Sequence, residues 1–255
     1  MFQMKKHVPN SLTLLNLFFG CLGIVACFKH EYTLVALFIG LSLLADFLDG
    51  FVARALQVKS DLGGQLDSLA DMVTFGVLPG MMLFNIITTK SNLMGIGAAV
   101  HQTYSFSENY IGFAGFAYTL FACLRLAKFN LDTRQTENFI GLATPAGAIL
   151  VLGFYMQYFL IWQYESNWDY IIYSRIAAII IPFILAYLMI AEIEIFSLKG
   201  NPFSWKANKF RVLFLVCSIP QLILLKWLSL SSIIVSYIIF ALLHNTFDKK
   251  TETSS

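Results

Sequence analysis

Charge is scarce in this chain of 255 residues: Asp, Glu, Lys and Arg together make up 13% of it. A soluble domain typically carries about a quarter of its residues charged, so a globule dissolved in water is excluded as the class. Cysteine is equally sparse. Cys21, Cys27, Cys123 and Cys217 all lie inside apolar runs without paired spacing, which excludes a disulfide framework or a thiolate metal site and leaves them as small buried hydrophobes. The four histidines, His7, His30, His101 and His244, are scattered with no partner at a ligand spacing. A net charge of +2 says little by itself, and nucleic acid is not among the expected partners.

What the chain has in abundance is hydrocarbon. At 58% apolar and 15% aromatic residues, it reads as an integral membrane protein. Apolar runs of about twenty residues, the length that crosses a bilayer as a helix, fall near 11–29, 33–56, 64–88, 109–130, 145–162, 173–192, 209–227 and 229–247. The expected fold is therefore all-α, a polytopic membrane protein of about eight transmembrane helices. One membrane domain over 1–248 is expected, followed by a disordered tail over 249–255, with no separate soluble module. Lys5 and Lys6 precede the first run, but no small-x-small cleavage site follows, so a cleaved leader is not expected.

Orientation follows from counting cations. With both termini on the cytoplasmic side, Lys5, Lys6, Arg54, Lys59, Arg125, Lys128, Arg134, Lys199, Lys206, Lys209, Arg211, Lys249 and Lys250 fall at cytoplasmic ends or loops. Only Lys29, Lys90, Arg175 and Lys226 fall at the other face. The asymmetry fits the positive-inside rule. Tyr110, Trp162, Tyr164, Trp168, Tyr170, Trp205 and Trp227 sit near span ends, where amphipathic rings suit the headgroup region. The 89–108 stretch reads as an external connection, with 93–100 as a short membrane-dipping piece, and polar residues cluster at 130–138 and 197–209.

Against this background, four aspartates within twenty-six residues stand out: Asp46, Asp49, Asp67 and Asp71. One carboxylate at the bilayer centre costs roughly 2.5–3.5 kcal/mol on insertion scales, so four close together would cost on the order of 10 kcal/mol without neutralisation. On a helix at about 100° per residue, Asp46, Gly50 and Ala53 share one stripe and Asp49 flanks it. Asp67 and Asp71, at i and i+4, share one face of the next helix. A polar connection around Lys59, Ser60, Asp61, Leu62 and Gly63 is short enough to make the two helices antiparallel neighbours. The four carboxylates can then converge at the cytoplasmic end of the pair.

Oxygen ligands without His or Cys favour hard divalent cations, Mg²⁺, Mn²⁺ or Ca²⁺. Two cations sharing carboxylates would balance the charge, an arrangement suited to phosphoryl displacement. The near-absence of side chain at Gly50 and Ala53 lets an extended ligand lie against the helix backbone. A nucleotide diphosphate has that shape.

Asp46-x2-Asp49-Gly50-x2-Ala53-Arg54-x8-Gly63-x3-Asp67-x3-Asp71 resembles, without gap or substitution, the signature of the CDP-alcohol phosphatidyltransferases. The resemblance implies a helical membrane enzyme that moves the phosphatidyl group of a CDP-linked lipid to an alcohol and releases CMP. It implies that Asp46, Asp49, Asp67 and Asp71 hold two divalent cations, and that Asp71 also serves as general base toward the attacking hydroxyl. By the same resemblance Gly50, Ala53 and Gly63 line the cytidine pocket with Asp49 alongside. Arg54 is either a diphosphate ligand or a helix-end anchor.

Four further segments resemble the phosphatidylserine synthase branch of that family: 9–16 (PNSLTLLN), 75–80 (FGVLPG), 125–130 (RLAKFN) and 139–146 (FIGLATPA). Ala143 departs from the proline expected before Thr144-Pro145, which puts the conformation of that loop in question. The branch implies CDP-diacylglycerol and L-serine as substrates, with membrane lipids around the protein and a homodimer compatible with it. Serine carries a carboxylate that needs a cation, which makes Arg125, Lys128 and Asn130 candidate serine-binding residues. The same location suits Arg125 and Lys128 as topology determinants or headgroup contacts. Two alternatives stay open: another acceptor, such as glycerol 3-phosphate or inositol phosphate, and a cation transporter that uses its intramembrane carboxylates for transport. The expected location is the plasma membrane, with the acidic site facing the cytoplasm.

Overall fold

A computed structural model describes residues 7–58, 60–88, 110–132, 139–164, 168–195 and 205–252. Each of the eight expected spans coincides with a helical segment. In chain order these are α1 (His7–Phe28), α2 (Tyr32–Ala55) and α3 (Asp61–Asp71), then a π-helical turn (Met72–Val77) and α4 (Leu78–Thr88). A 3₁₀ turn (Tyr110–Gly115) leads into α5 (Phe116–Leu131), followed by β1 (Phe139–Ile140), α6 (Thr144–Tyr164) and α7 (Trp168–Ile190). The chain closes with β2 (Glu194–Ile195), α8 (Trp205–Leu224) and α9 (Leu228–Glu252).

Five of these segments are long and apolar enough to cross a membrane: His7–Phe28, Tyr32–Ala55, Asp61–Thr88, Tyr110–Leu131 and Leu228–Thr246. Shorter apolar stretches, Thr144–Leu160, Ile176–Ile190 and Val212–Leu224, supply the other three. The outer faces carry large apolar side chains such as Phe47 and Phe183, 62% and 54% exposed. In water such faces would be a liability; in hydrocarbon they are the matching surface.

α4 lies at the centre, packed against α1, α5, α6 and α7. Its sequence is apolar nearly all round, which is what a helix without a solvent face requires. Leu78, Met82, Leu83 and Ile86 are fully buried. Small residues bring the helices close, as expected where hydrocarbon gives no solvophobic drive for association. Gly20 and Gly23 of α1 face Thr74 and Leu78, and a Cβ at Gly20 would collide with the Thr74 hydroxyl. α6 packs on α9, and α9 carries α8 on its other side.

The third span departs from the single helix expected over 64–88. Its first part begins at Asp61 because Ser60 caps it: the Ser60 hydroxyl accepts from the Gly63 N–H at 3.0 Å. Its middle is the π turn, whose carbonyls are taken up from α5. Tyr118 Oη donates to the Phe75 carbonyl at 3.0 Å, and Thr119 Oγ1 donates to the Gly76 carbonyl at 3.0 Å. Buried carbonyls with no partner in their own helix need such donors.

Two other expectations change. α2 and α3 are expected to be packed neighbours, yet the main packing partner of each is α1, which lies against both. α1 supplies a hydroxyl donor to Asp49 of α2 and an amide donor to Asp71 of α3. The expected tail boundary at 249 is also passed, since the α9 backbone stays helical to Glu252. The expected external connection with its membrane-dipping piece, Lys59, and the polar clusters at 133–138 and 197–204 lie outside the described residues.

The loop in which Ala143 replaces proline is held by its backbone. Gly141 N donates to the Ile193 carbonyl at 2.9 Å, and Leu142 N to the Leu188 carbonyl at 2.9 Å. Gly141 has φ +73°, and a Cβ there would lie 2.7 Å from the Met189 carbonyl oxygen, so only glycine fits. Beside it β1 and β2 form a two-residue antiparallel pair, Phe139 opposite Ile195 and Ile140 opposite Glu194.

Candidate active site

Three of the four carboxylates meet, and the four lie in two tiers. One oxygen each from Asp46, Asp49 and Asp67 lie within 4.8 Å of one another. Along their helices, Asp49 and Asp67 are nearer the α2–α3 connection, while Asp46 and Asp71 lie about one turn deeper. Asp49 and Asp71 are buried, at 7% and 8% exposure.

Each buried carboxylate has a donor from α1. Thr13 Oγ1 donates to Asp49 Oδ2 at 2.6 Å, and Asn16 Nδ2 donates to Asp71 Oδ1 at 3.1 Å. Both α1 residues are themselves buried. Neither was assigned a site role in the sequence, although both fall in the 9–16 segment that resembles the family branch. The available signal was periodicity: Asn10, Thr13 and Asn16 recur every third residue in an otherwise apolar run, which puts three polar side chains on one helix face.

The donor set fits a divalent cation. Oxygen-only ligands, three of them carboxylates in mutual contact range, match hard-cation chemistry. Asp67 Oδ1 is buried with no hydrogen-bond partner, as is Asn16 Oδ1. A buried carboxylate oxygen left without a donor is costly, and a cation is the natural complement.

A cavity of about 600 Å³ opens beside the outer tier. Its small-residue wall is Gly50, Ala53, Gly63 and Gly64, its acidic edge is Asp49 and Asp67, and Arg54 and Asn130 also line it. A Cβ at Gly50 would lie 3.3 Å from the Arg54 guanidinium, and one at Gly63 would lie 3.2 Å from Asn10 Oδ1. Arg54 therefore folds back over Gly50 rather than extending away from the site.

The candidate serine residues divide between two places. Asn130 lines the first cavity and exchanges hydrogen bonds with Ser68 of α3 at 2.9 and 3.1 Å. Arg125 and Lys128 line a second cavity of about 290 Å³ with Asp132, Ile140, Met189 and Glu192. Arg125 is 7% exposed, donates from Nε to the Leu142 carbonyl at 2.7 Å, and lies over the Phe129 ring at 5.2 Å. A buried Arg tied into the 139–146 loop is not a simple surface topology signal. Lys128 is exposed.

A CDP-alcohol phosphatidyltransferase family model matches residues 6–191, which takes in α1 to α7, the four aspartates and the lining of the first cavity. The chain belongs to that family. Among curated proteins it is similar to the CDP-diacylglycerol–serine O-phosphatidyltransferase of Bacillus subtilis (strain 168), at 34% identity over 148 residues, 58% of this chain and 75% of that protein. It is also similar to the proteins of that name in Methanocaldococcus jannaschii and Helicobacter pylori (strain J99). The identities are 36% over 156 residues (60% of this chain, 64% of that protein) and 32% over 146 residues (56% and 55%). The aligned region thus spans three quarters of the first relative and less than two thirds of the other two.

Proposed function

We propose that this protein transfers the phosphatidyl group of CDP-diacylglycerol to the hydroxyl of L-serine, giving phosphatidylserine and CMP in phospholipid biosynthesis. The observation that carries the reading is the meeting of Asp46, Asp49 and Asp67 within 4.8 Å, beside a cavity walled by Gly50, Ala53 and Gly63. Three relatives that carry the serine-transferase name support the choice of acceptor.

In this reading Asp46, Asp49, Asp67 and Asp71 hold two divalent cations, Mg²⁺ or Mn²⁺, with Ca²⁺ as a third candidate. When bound, such cations neutralise charge on the diphosphate and on the departing CMP. Gly50, Ala53 and Gly63 let the cytidine part lie close to the backbone, with Asp49 alongside. A cavity of about 600 Å³ falls within the usual range of roughly 300–1,000 Å³ for small-molecule sites. Arg54, folded over Gly50, contributes positive charge to the diphosphate. Asp71 accepts the proton of the serine hydroxyl as its oxygen attacks phosphorus.

Arg125 and Lys128 provide cations for the serine carboxylate, and Asn130 orients the polar end of the substrate at the edge of the first cavity. The cation asymmetry of the loops supports both termini and the acidic site facing the cytoplasm of a plasma membrane. There the acyl chains stay in the bilayer while serine and the cytidine group are handled at its boundary. A homodimer is the proposed assembly.

The test is CMP release by purified protein in detergent, with CDP-diacylglycerol and Mn²⁺ or Mg²⁺. Serine, glycerol 3-phosphate, inositol phosphate and no acceptor are compared. Metal-dependent release with serine alone is expected. Release with a different alcohol reassigns the acceptor, and silence with every acceptor from folded protein removes the enzyme reading.

A further inference from the structure

Asn16 joins three elements at the inner tier of carboxylates. Its main-chain carbonyl accepts from Ser42 Oγ of α2 at 3.2 Å and from Thr74 Oγ1 of the π turn at 3.3 Å. Its side-chain Nδ2 donates to Asp71 Oδ1 at 3.1 Å. The residue is fully buried. With its backbone held from two sides and its amide aimed at one oxygen, it has little freedom to move away from Asp71.

The amide orientation is determined by Asp71. Turning Asn16 Oδ1 toward the carboxylate would set two acceptors against each other, so the N–H side must face Asp71. The consequence is that Asn16 Oδ1 is buried with no partner. A buried acceptor without a donor is a cost that an apolar side chain of similar size would not incur. Packing alone therefore does not explain an asparagine here.

We propose that Asn16 is a positioning residue for the transfer reaction: it engages one oxygen of Asp71 and so fixes the carboxylate with the other oxygen, Oδ2, available to the acceptor hydroxyl. This rests on the reading of Asp71 given above. In the step concerned, the acceptor O–H proton passes to Asp71 Oδ2 and the acceptor oxygen forms a bond to phosphorus. The bond from phosphorus to the CMP oxygen breaks, and CMP leaves with that electron pair. Thr13 differs in kind: its single hydroxyl proton is shared between the Pro9 carbonyl and Asp49, on the outer tier.

The experiment measures steady-state CMP release for Asn16→Ala and Asn16→Leu in detergent, with serine and CDP-diacylglycerol varied separately. Mn²⁺ binding is followed by electron paramagnetic resonance on the same preparations. Asn16→Leu keeps a similar side-chain volume and removes the N–H donor without adding a charge beside Asp71. Positioning a general base is worth on the order of 10²-fold, so kcat is expected to fall by about that factor in both variants, with KM for CDP-diacylglycerol and Mn²⁺ binding within about twofold of the parent. A kcat within about threefold of the parent in folded Asn16→Ala overturns the proposal, and so does a fall in kcat matched by an equal rise in KM for the nucleotide lipid. Should Asn16→Ala elute as aggregate, Asn16→Ser supplies the same comparison. Wild-type protein that releases no CMP with serine would sink the functional reading itself; an active wild type with unaffected Asn16 variants would sink only this inference.

Discussion

The two halves of the third span are made from one continuous stretch of chain and behave oppositely. α3 carries Asp67 and Asp71 on one face, exposes Leu62 and Leu69, and lines the larger cavity with Asp61, Gly63, Gly64, Gln65 and Asp67. α4 buries Leu78, Met82, Leu83 and Ile86 completely and makes up the centre of the bundle. Between them the π turn adds residues without adding length in proportion, which rotates one half relative to the other. The acidic face can then address α1 and α2 while the apolar helix sits among α5, α6 and α7. The lesson is that polarity within a single span can be segregated by re-phasing the helix, so that the charged half does not compromise the packed half.

That contrast can be broken most severely at its acidic end. Asp71→Asn is expected to reduce CMP release by on the order of 10³-fold, within the range for a lost general base, while equilibrium binding of CDP-diacylglycerol is largely kept. Wild-type-like turnover in that variant would remove Asp71 from the chemistry and with it the assignment of the reacting end to α3. On the other side, Leu83→Ala should destabilise the protein by about 2–5 kcal/mol through loss of buried contacts. This would be read as a lowered midpoint of thermal unfolding in detergent, with kcat per folded molecule little changed. If Leu83→Ala cut kcat at unchanged stability, the two halves would not be separable in the way described.

The hinge between the halves gives a smaller effect. Tyr118→Phe strips the hydroxyl that donates to the Phe75 and Thr144 carbonyls. Pro79, four residues after Phe75, has no N–H to offer that carbonyl, so the loss costs about 1–3 kcal/mol, and because the π turn follows Asp71 directly, a drop in both stability and kcat is expected. A drop in stability alone would show that the turn is merely packing. Smallest of all should be the substrate-side cations. Arg125→Ala is expected to raise KM for serine by about tenfold, the scale of a charge-assisted hydrogen bond worth roughly 1.5 kcal/mol or more. Lys128→Ala should raise it less because that residue is exposed. Measured against CDP-diacylglycerol, KM should not move in the Lys128 variant; a shift there would point to a headgroup contact instead.

Much of the site was legible in sequence because its elements are local. Asp46, Gly50 and Ala53 share a stripe by helical period, and Asp67 and Asp71 share another, so their grouping needs no tertiary information. Thr13 and Asn16 were visible in the 9–16 segment but received no role, since a polar residue in an apolar helix has no assigned partner until the helices are placed. Arg125, Lys128 and Asn130 lie within one and a half turns and read as one cluster, yet they face two cavities. Asn130 is two residues from Lys128 and five from Arg125, spacings that point to different sides of a helix, and which side meets a cavity depends on α3 on one side and the β1–β2 loop on the other.

The amino-acid sequence by itself determined the solvent, the all-α polytopic class with the approximate place of its apolar helices, and the type of chemistry. Each of these depends on composition or on a period of a few residues, and the cost of charge in hydrocarbon makes four clustered carboxylates meaningful wherever they pack. Only the tertiary structure decided that α1 packs against both α2 and α3, with donors for Asp49 and Asp71, and that the third span changes phase after Asp71. Those outcomes come from contacts between residues more than thirty positions apart, such as Thr13 with Asp49 and Asn16 with Asp71. They are selected by the cost of leaving buried polar groups without partners once the helices close around them.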